Sequence, residues 1–105
     1  MAMTNTTPDN LVLRLAVIGG ETKPDDYSVW CGPDLVGRIK ARTGHPPGTD
    51  GWDWHVNPPF PIPPDCTGTA RNREEAMAKF KSAWLRFRPS IDDERWERTM
   101  ARYRK

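Results

Sequence analysis

The chain changes its hydrophobic period once, across a stretch that neither a central strand nor a helix can occupy. Trp52-Asp53-Trp54 alternates at period two, and Pro58, Pro59, Pro61, Pro63 and Pro64 follow within Asn57 to Cys66. Proline lacks a backbone N–H and fixes φ, so it is excluded from sheet centres and helix interiors. The segment is therefore read as a stiff extended crossover, partly polyproline II. A helical pattern begins immediately afterwards. Asn72 is a good N-cap and Glu75 completes a capping box. Ala76, Met77, Phe80, Ala83, Trp84 and Phe87 then fall in one stripe, the apolar face of a helix laid on a sheet. Pro89 stops that helix, giving a span of 73–88.

Upstream of the prolines the pattern is that of strands. Leu11 to Ile18 is rich in branched residues and apolar on both faces, and Gly19-Gly20 ends it. Residues 21–26 read as a polar loop around Pro24, and Tyr27 to Cys31 as a second strand. Gly32-Pro33-Asp34 is a turn cluster, which predicts a hairpin with a returning strand over 35–42. On that strand Leu35, Ile39 and Ala41 are expected on one face and Val36, Arg38, Lys40 and Arg42 on the other. Gly51 to Val56 forms the next strand, and Thr67 to Ala70 adds a short last one.

These elements predict an α+β fold: an antiparallel sheet of three to four strands packed on one amphipathic helix, plus a C-terminal helix. Residues 1–10 read as a disordered tail, 11–88 as the domain and 89–105 as the C-terminal helical segment. Ser90 with Asp93 suggests the cap of that second helix, over about residues 91–103. Trp96, Met100 and Tyr103 make its apolar stripe; Arg95, Arg98 and Arg102, with Lys105 below them, make a basic one. The second helix is expected to fold back over Leu85, and Phe60 and Ile62 to pin the proline segment to the core.

Composition removes several function classes. Mean hydropathy is −0.78, and the longest apolar run, Leu11 to Ile18, is interrupted by Arg14, too short to span a membrane. Met1 to Asn10 is polar and lacks the pattern of a secretory signal. Cys31 and Cys66 are too few for a disulfide scaffold, so both are read as reduced thiols in a cytoplasmic protein. Net charge is +2 but uneven: residues 1–70 carry five basic and eight acidic side chains, residues 71–105 eleven and six.

The order Val36-Gly37-Arg38-Ile39, Gly51-Trp52-Asp53-Trp54, Gly68-Thr69-Ala70, then Arg73-Glu74-Glu75-Ala76 with Phe80 to Trp84 resembles a group of small bacterial proteins with no assigned function. The resemblance covers about residues 27–87, and its motifs are fold-making residues that carry no site. The succession of three strands and a helix is also similar to the plant ethylene-response-factor type of DNA-binding domain and to the arm-binding domains of tyrosine integrases. Those resemblances imply that basic and aromatic side chains on the open sheet face would enter a major groove.

The residues that such a face would offer are Trp30, Arg38, Lys40 and Arg42. The three cations alternate, suiting phosphate contact, and Trp30 could stack on a base. Asp53 and the acidic balance of residues 1–70 oppose a polyanion. For metal, Cys31, His45, His55 and Cys66 are irregularly spaced with no close Cys pair, and none is expected. No catalytic signature, phosphate loop or cofactor motif emerges, so the expectation is no enzyme and no cofactor. The leading reading is a cytoplasmic protein-interaction or oligomerisation module, a homodimer through the two-faced Leu11–Ile18 strand or a complex with a protein partner. The alternative is DNA binding through the open sheet face.

Overall fold

The structure is a computed structural model that describes residues 10–104. The expected tail at residues 1–9 and the last cation of the basic stripe, Lys105, lie outside the described residues. The fold is α+β, with one five-stranded antiparallel sheet in the order of the chain: β1 (Leu11–Ile18), β2 (Glu21–Cys31), β3 (Asp34–Ala41), β4 (Trp52–Val56) and β5 (Thr67–Ala70). Two helices follow, α1 (Arg73–Phe87) and α2 (Asp93–Met100). The sheet therefore has more strands than the three to four expected.

Turn chemistry sets the first two connections. Gly19 and Gly20 both have positive φ, 62° and 83°, between the paired residues Ile18 and Glu21. That is the geometry of a two-residue type I′ hairpin, which glycine adopts without a Cβ penalty. Gly32 (φ 60°) and Pro33 form the second two-residue loop, between the paired Cys31 and Asp34. Glycine first and proline second suits a type II′ turn.

Two irregularities correct the expected strand pattern. Residues 21–26 are part of β2 rather than a loop. Pro24 is tolerated because the β1 ladder breaks there: its register shifts between Leu15 and Val17, and Pro24 and Asp25 have no Cα partner in it. Proline's missing N–H then removes no ladder bond, and Asp25 turns the chain with φ 59°. The second correction is on β3. The β2–β3 register shifts between Val29 and Trp30, so Val29 faces Gly37 while Trp30 faces Leu35. The extra residue is Val36, fully buried, and Leu35 is turned out to 46% exposure. A bulge of this kind inverts the alternation on one side of it. Leu35 therefore shares a face with Arg38, and Val36 joins the core, opposite to the simple alternation.

The helix α1 lies over β4, with β3 and β5 on either side. Asn72 caps it, its side-chain oxygen accepting from the Glu75 N–H at 2.8 Å. The Glu75 carboxylate reaches back to the Arg71 N–H at 2.7 Å. Ala76, Phe80, Ala83, Trp84 and Phe87 are buried and Met77 half-buried, as the stripe predicts. They meet Val29, Val36, Ile39, Trp54 and Val56 from the sheet. Gly37 makes the close approach possible. A Cβ there would collide with the Phe80 ring and stand 2.5 Å from the His55 carbonyl oxygen.

The C-terminal segment departs from expectation in three ways. Asp92, not Ser90, caps α2, accepting from the Arg95 N–H at 2.8 Å. Ser90 instead donates to the Phe87 carbonyl at 2.6 Å, within a 3-10 turn over Arg88–Ser90 that leads out of α1. The helix ends at Met100, so Tyr103 leaves the apolar stripe and is 62% exposed. Leu85 stays 42% exposed, because α2 does not cover it. The second helix packs instead on Trp84 and Phe60, with Trp96 edge-on to Trp84 at 5.7 Å and stacked on Phe60 at 5.1 Å.

Two variants test this core. Trp84→Ala should destabilise the protein by about 3–5 kcal/mol, the usual cost of emptying a buried aromatic site, and a thermal melt within a few degrees of wild type would contradict the packing. Gly37→Ala should be at least as damaging, although alanine is the better strand residue of the two. A chemical denaturation midpoint equal to that of wild type would show that Phe80 does not rest on the Gly37 backbone.

Candidate interaction surfaces

The face of the sheet away from α1 is built from cross-strand rows. Register places Val12, Trp30 and Leu35 in one row, and Arg14, Ser28, Arg38, His55 and Thr67 in the next. Asp26, Lys40, Asp53 and Thr69 form a third. The structure thus brings Trp30, Arg38 and Lys40 to one face, as expected, and Arg42 reaches it from just beyond the end of β3.

Acidic neighbours balance these cations. The Arg38 guanidinium donates to both carboxylate oxygens of Asp26, at 2.8 and 2.5 Å. That bidentate bond holds the Asp26 carboxyl below its ordinary range and raises Arg38 further. Arg42 lies 3.6 Å from Asp53, and Lys40 stands directly opposite the same Asp53 in the ladder. Half-exposed ion pairs of this kind add little stability, typically about 0–1 kcal/mol, but they neutralise the face locally. Trp30 is half-buried and carries the Arg14 guanidinium 4.8 Å above its ring. Sequence reasoning did not find Asp26 or Arg14 in these roles, because both depend on cross-strand register, and Asp26 lies in the segment read as a loop.

His55 lies in the middle of the same face. Burial lowers its imidazole below the ordinary value, Arg38 and Lys40 lower it further, and Asp53 opposes them. His45 sits apart, in the loop after β3, with its ring covering Gly51. Cys66 is buried on a 3-10 turn over Pro64–Cys66, and burial pushes its thiol up. Cys31 ends β2 on the helix side. No group of three or more His, Cys, Asp or Glu that could hold a metal occurs among the described residues.

Several hollows adjoin this face. One, of about 720 Å³, is open and of mixed polarity, between Pro24–Asp26 and the loop at Arg42–His45. Another, of about 420 Å³, is more apolar and lined by Trp30, Pro33, Leu35, Asn57, Pro59, Met100 and Tyr103. Asp34 and Arg104 also line it. Asp34, which the sequence suggests only as a turn residue, is 4% exposed. Its carboxylate accepts from the Trp96 indole at 3.1 Å and from Arg104 at 2.7 and 2.9 Å. Glu97 shares Arg104. The buried charge is thus fully paired, as burial of a carboxylate requires.

The third surface is β1 itself. It ends the sheet, and its outer edge has no partner strand among the described residues. Leu11 and Leu13 are half-buried against the core, while Val12, Leu15 and Val17 are 46%, 44% and 66% exposed. Within the chain this strand pairs with β2. No helix of the described residues is long and apolar enough to cross a membrane. No protein-family model, curated protein or solved structure matches the chain.

The position of His55 predicts a pH dependence. Its folded form favours the neutral ring, whereas the unfolded chain takes up the proton near the ordinary value of about 6.5. The stability contributed by the neutral ring is full above about pH 6.5 and is lost as pH falls below it. His55→Gln should flatten the decline in melting temperature between neutral and mildly acidic pH. The steeper loss at lower pH, where Asp26 is protonated, should remain. An unchanged slope across the mildly acidic range would contradict the burial of the ring.

Proposed function

We propose that this is a non-enzymatic protein-interaction module whose working surface is the outer edge of β1. The observation that carries the reading is the exposure of Val12, Leu15 and Val17 on an edge strand. An edge presents a row of backbone donors and acceptors that another strand can complete, and apolar side chains on both faces add the affinity. A cytoplasmic setting accompanies the proposal, supported by the buried Cys66 thiol. The DNA-binding alternative through Trp30, Arg38, Lys40 and Arg42 draws less support. Arg38 and Arg42 face Asp26 and Asp53, and Trp30 is already covered by Arg14.

A photo-crosslinking residue at Val17 tests the edge directly. Adducts of protein mass are expected in the native cytoplasm, and their absence from positions 12, 15 and 17 alike would overturn the reading. The double change Leu15→Lys and Val17→Lys should abolish adducts formed from position 12. The fold should melt within a few degrees of wild type, since exposed substitutions usually cost no more than about 0.5 kcal/mol.

A further inference from the structure

The open face of the sheet carries a second surface, independent of the β1 edge. We infer that the apolar trough beside Trp30 binds a proline-rich segment of a partner protein in the polyproline II conformation.

The walls of the trough are rings and aliphatic groups. Trp30, Pro33, Leu35, Pro59, Met100 and Tyr103 line the hollow of about 420 Å³. The Arg14 guanidinium lies over the indole without lining the hollow, so that part of Trp30 stays open. A smaller hollow, of about 280 Å³, continues the first past Leu35 and Asn57, which line both. The trough is thus elongated, and its rim is open, with Leu35 46% and Tyr103 62% exposed. Small ligands bury about 70–90% of their surface in their pockets. An open trough does not enclose a small molecule in that way, but an extended chain can lie along it.

Charge and hydrogen bonding select the kind of chain. Every ionic group on the walls is already paired: Arg104 with Asp34 and Glu97, and Arg38 with Asp26. A charged occupant would leave water without a free counter-ion to meet it, so the occupant is uncharged. The unspent side-chain groups are mainly donors. The Trp30 indole N–H, the Asn57 amide and the Tyr103 hydroxyl bond to no other described residue. Both oxygens of the Asp34 carboxylate, by contrast, already accept. An ordinary peptide brings an N–H with each carbonyl and needs acceptors as well as donors. Proline brings the carbonyl alone. A polyproline II chain makes no internal hydrogen bonds, so its carbonyls are free for these donors, and its rings suit aromatic walls. Arg104 also fixes the rim. Its bonds to Asp34, at 2.7 and 2.9 Å, tie the turn that carries Tyr103 to the start of β3.

The test titrates the isotope-labelled full chain with blocked, uncharged decaproline and follows amide and indole resonances by NMR. Saturable shifts are expected at Trp30, Asn57 and Tyr103 by about 1 mM peptide. A blocked glycine–serine peptide of equal length should leave them in place. Tyr103→Ala removes a wall and a donor, and Asn57→Asp replaces a donor with an acceptor; each should weaken binding by about tenfold. Both positions are exposed, so the fold should survive both changes. No saturable shift with decaproline, equal shifts with the glycine–serine peptide, or unchanged affinity in both variants would overturn the proposal. Phenol saturating the hollow where decaproline does not would also overturn it, in favour of a small-molecule site. Crosslinking from Val17 reads the β1 edge and not this trough, so the two proposals stand or fall separately.

Discussion

Phe80 occupies the space that a side chain at Gly37 would fill, and the position of α1 follows from that contact. The ring can come down onto the backbone only where Cβ is missing, and Gly37 offers this on β3. The helix is thereby fixed over β3, β4 and β5, with Trp54 edge-on to Phe80 at 6.5 Å. Its stripe is about one sheet-width of three strands, so the β1–β2 hairpin extends past it. The partly exposed leucines of β1 are a consequence of where the glycine lies, two strands away.

A second set of contacts attaches α2. Arg95, Phe60, Trp96 and Arg88 form a layered stack, with the guanidiniums 5.2 Å from Phe60 and 4.5 Å from Trp96. Cation–π contacts of this kind are worth about 0.5–2 kcal/mol each, more when desolvated. The same Trp96 donates to Asp34 at the β2–β3 turn, and Arg104 closes the site from the C-terminal side. The proline crossover is thus part of the core wall, since Phe60 comes from it. Removing one partner of the Asp34 group would leave a buried charge without compensation, which is far costlier than losing an exposed pair.

Most of the fold is legible in the chain because local rules coincide with tertiary ones. The helix α1, its Asn72 cap, its stripe and its end near Pro89 all follow from spacing and capping chemistry, and the β2–β3 hairpin turn follows from Gly32-Pro33, whereas Gly19-Gly20 reads only as the end of β1. What is not legible depends on register. Pro24 argues for a loop, yet it lies where the β1 ladder is already broken, so the proline rule has nothing to forbid. The bulge at Val36 has no local signature, and it inverts the faces expected for Leu35 and Val36. Asp34 reads as a turn residue because its partners Trp96 and Arg104 lie more than sixty positions away. The candidate cations fall on the expected face, but Asp26, which decides Arg38's charge balance, sits in the segment that Pro24 marks as a loop. The distribution of charge along a sequence does not give its neutralisation across strands.

Register also governs the edge of the sheet. Native edge strands are normally guarded by charges, bulges or prolines. On β1 the guard consists of Arg14, since the irregularity of the β1–β2 pair lies in β2, where residues 23–26 stand against Ala16. The Arg14 side chain is held over Trp30 on the open face. A lysine-like charge that can swing across an edge repels any incoming strand. A guanidinium held against an indole instead repels chiefly a second cation set at the same position. Arg14 is therefore a weak barrier to an incoming strand, and β1 (Leu11–Ile18) is paired on its inner side while its outer side has no partner strand among the described residues.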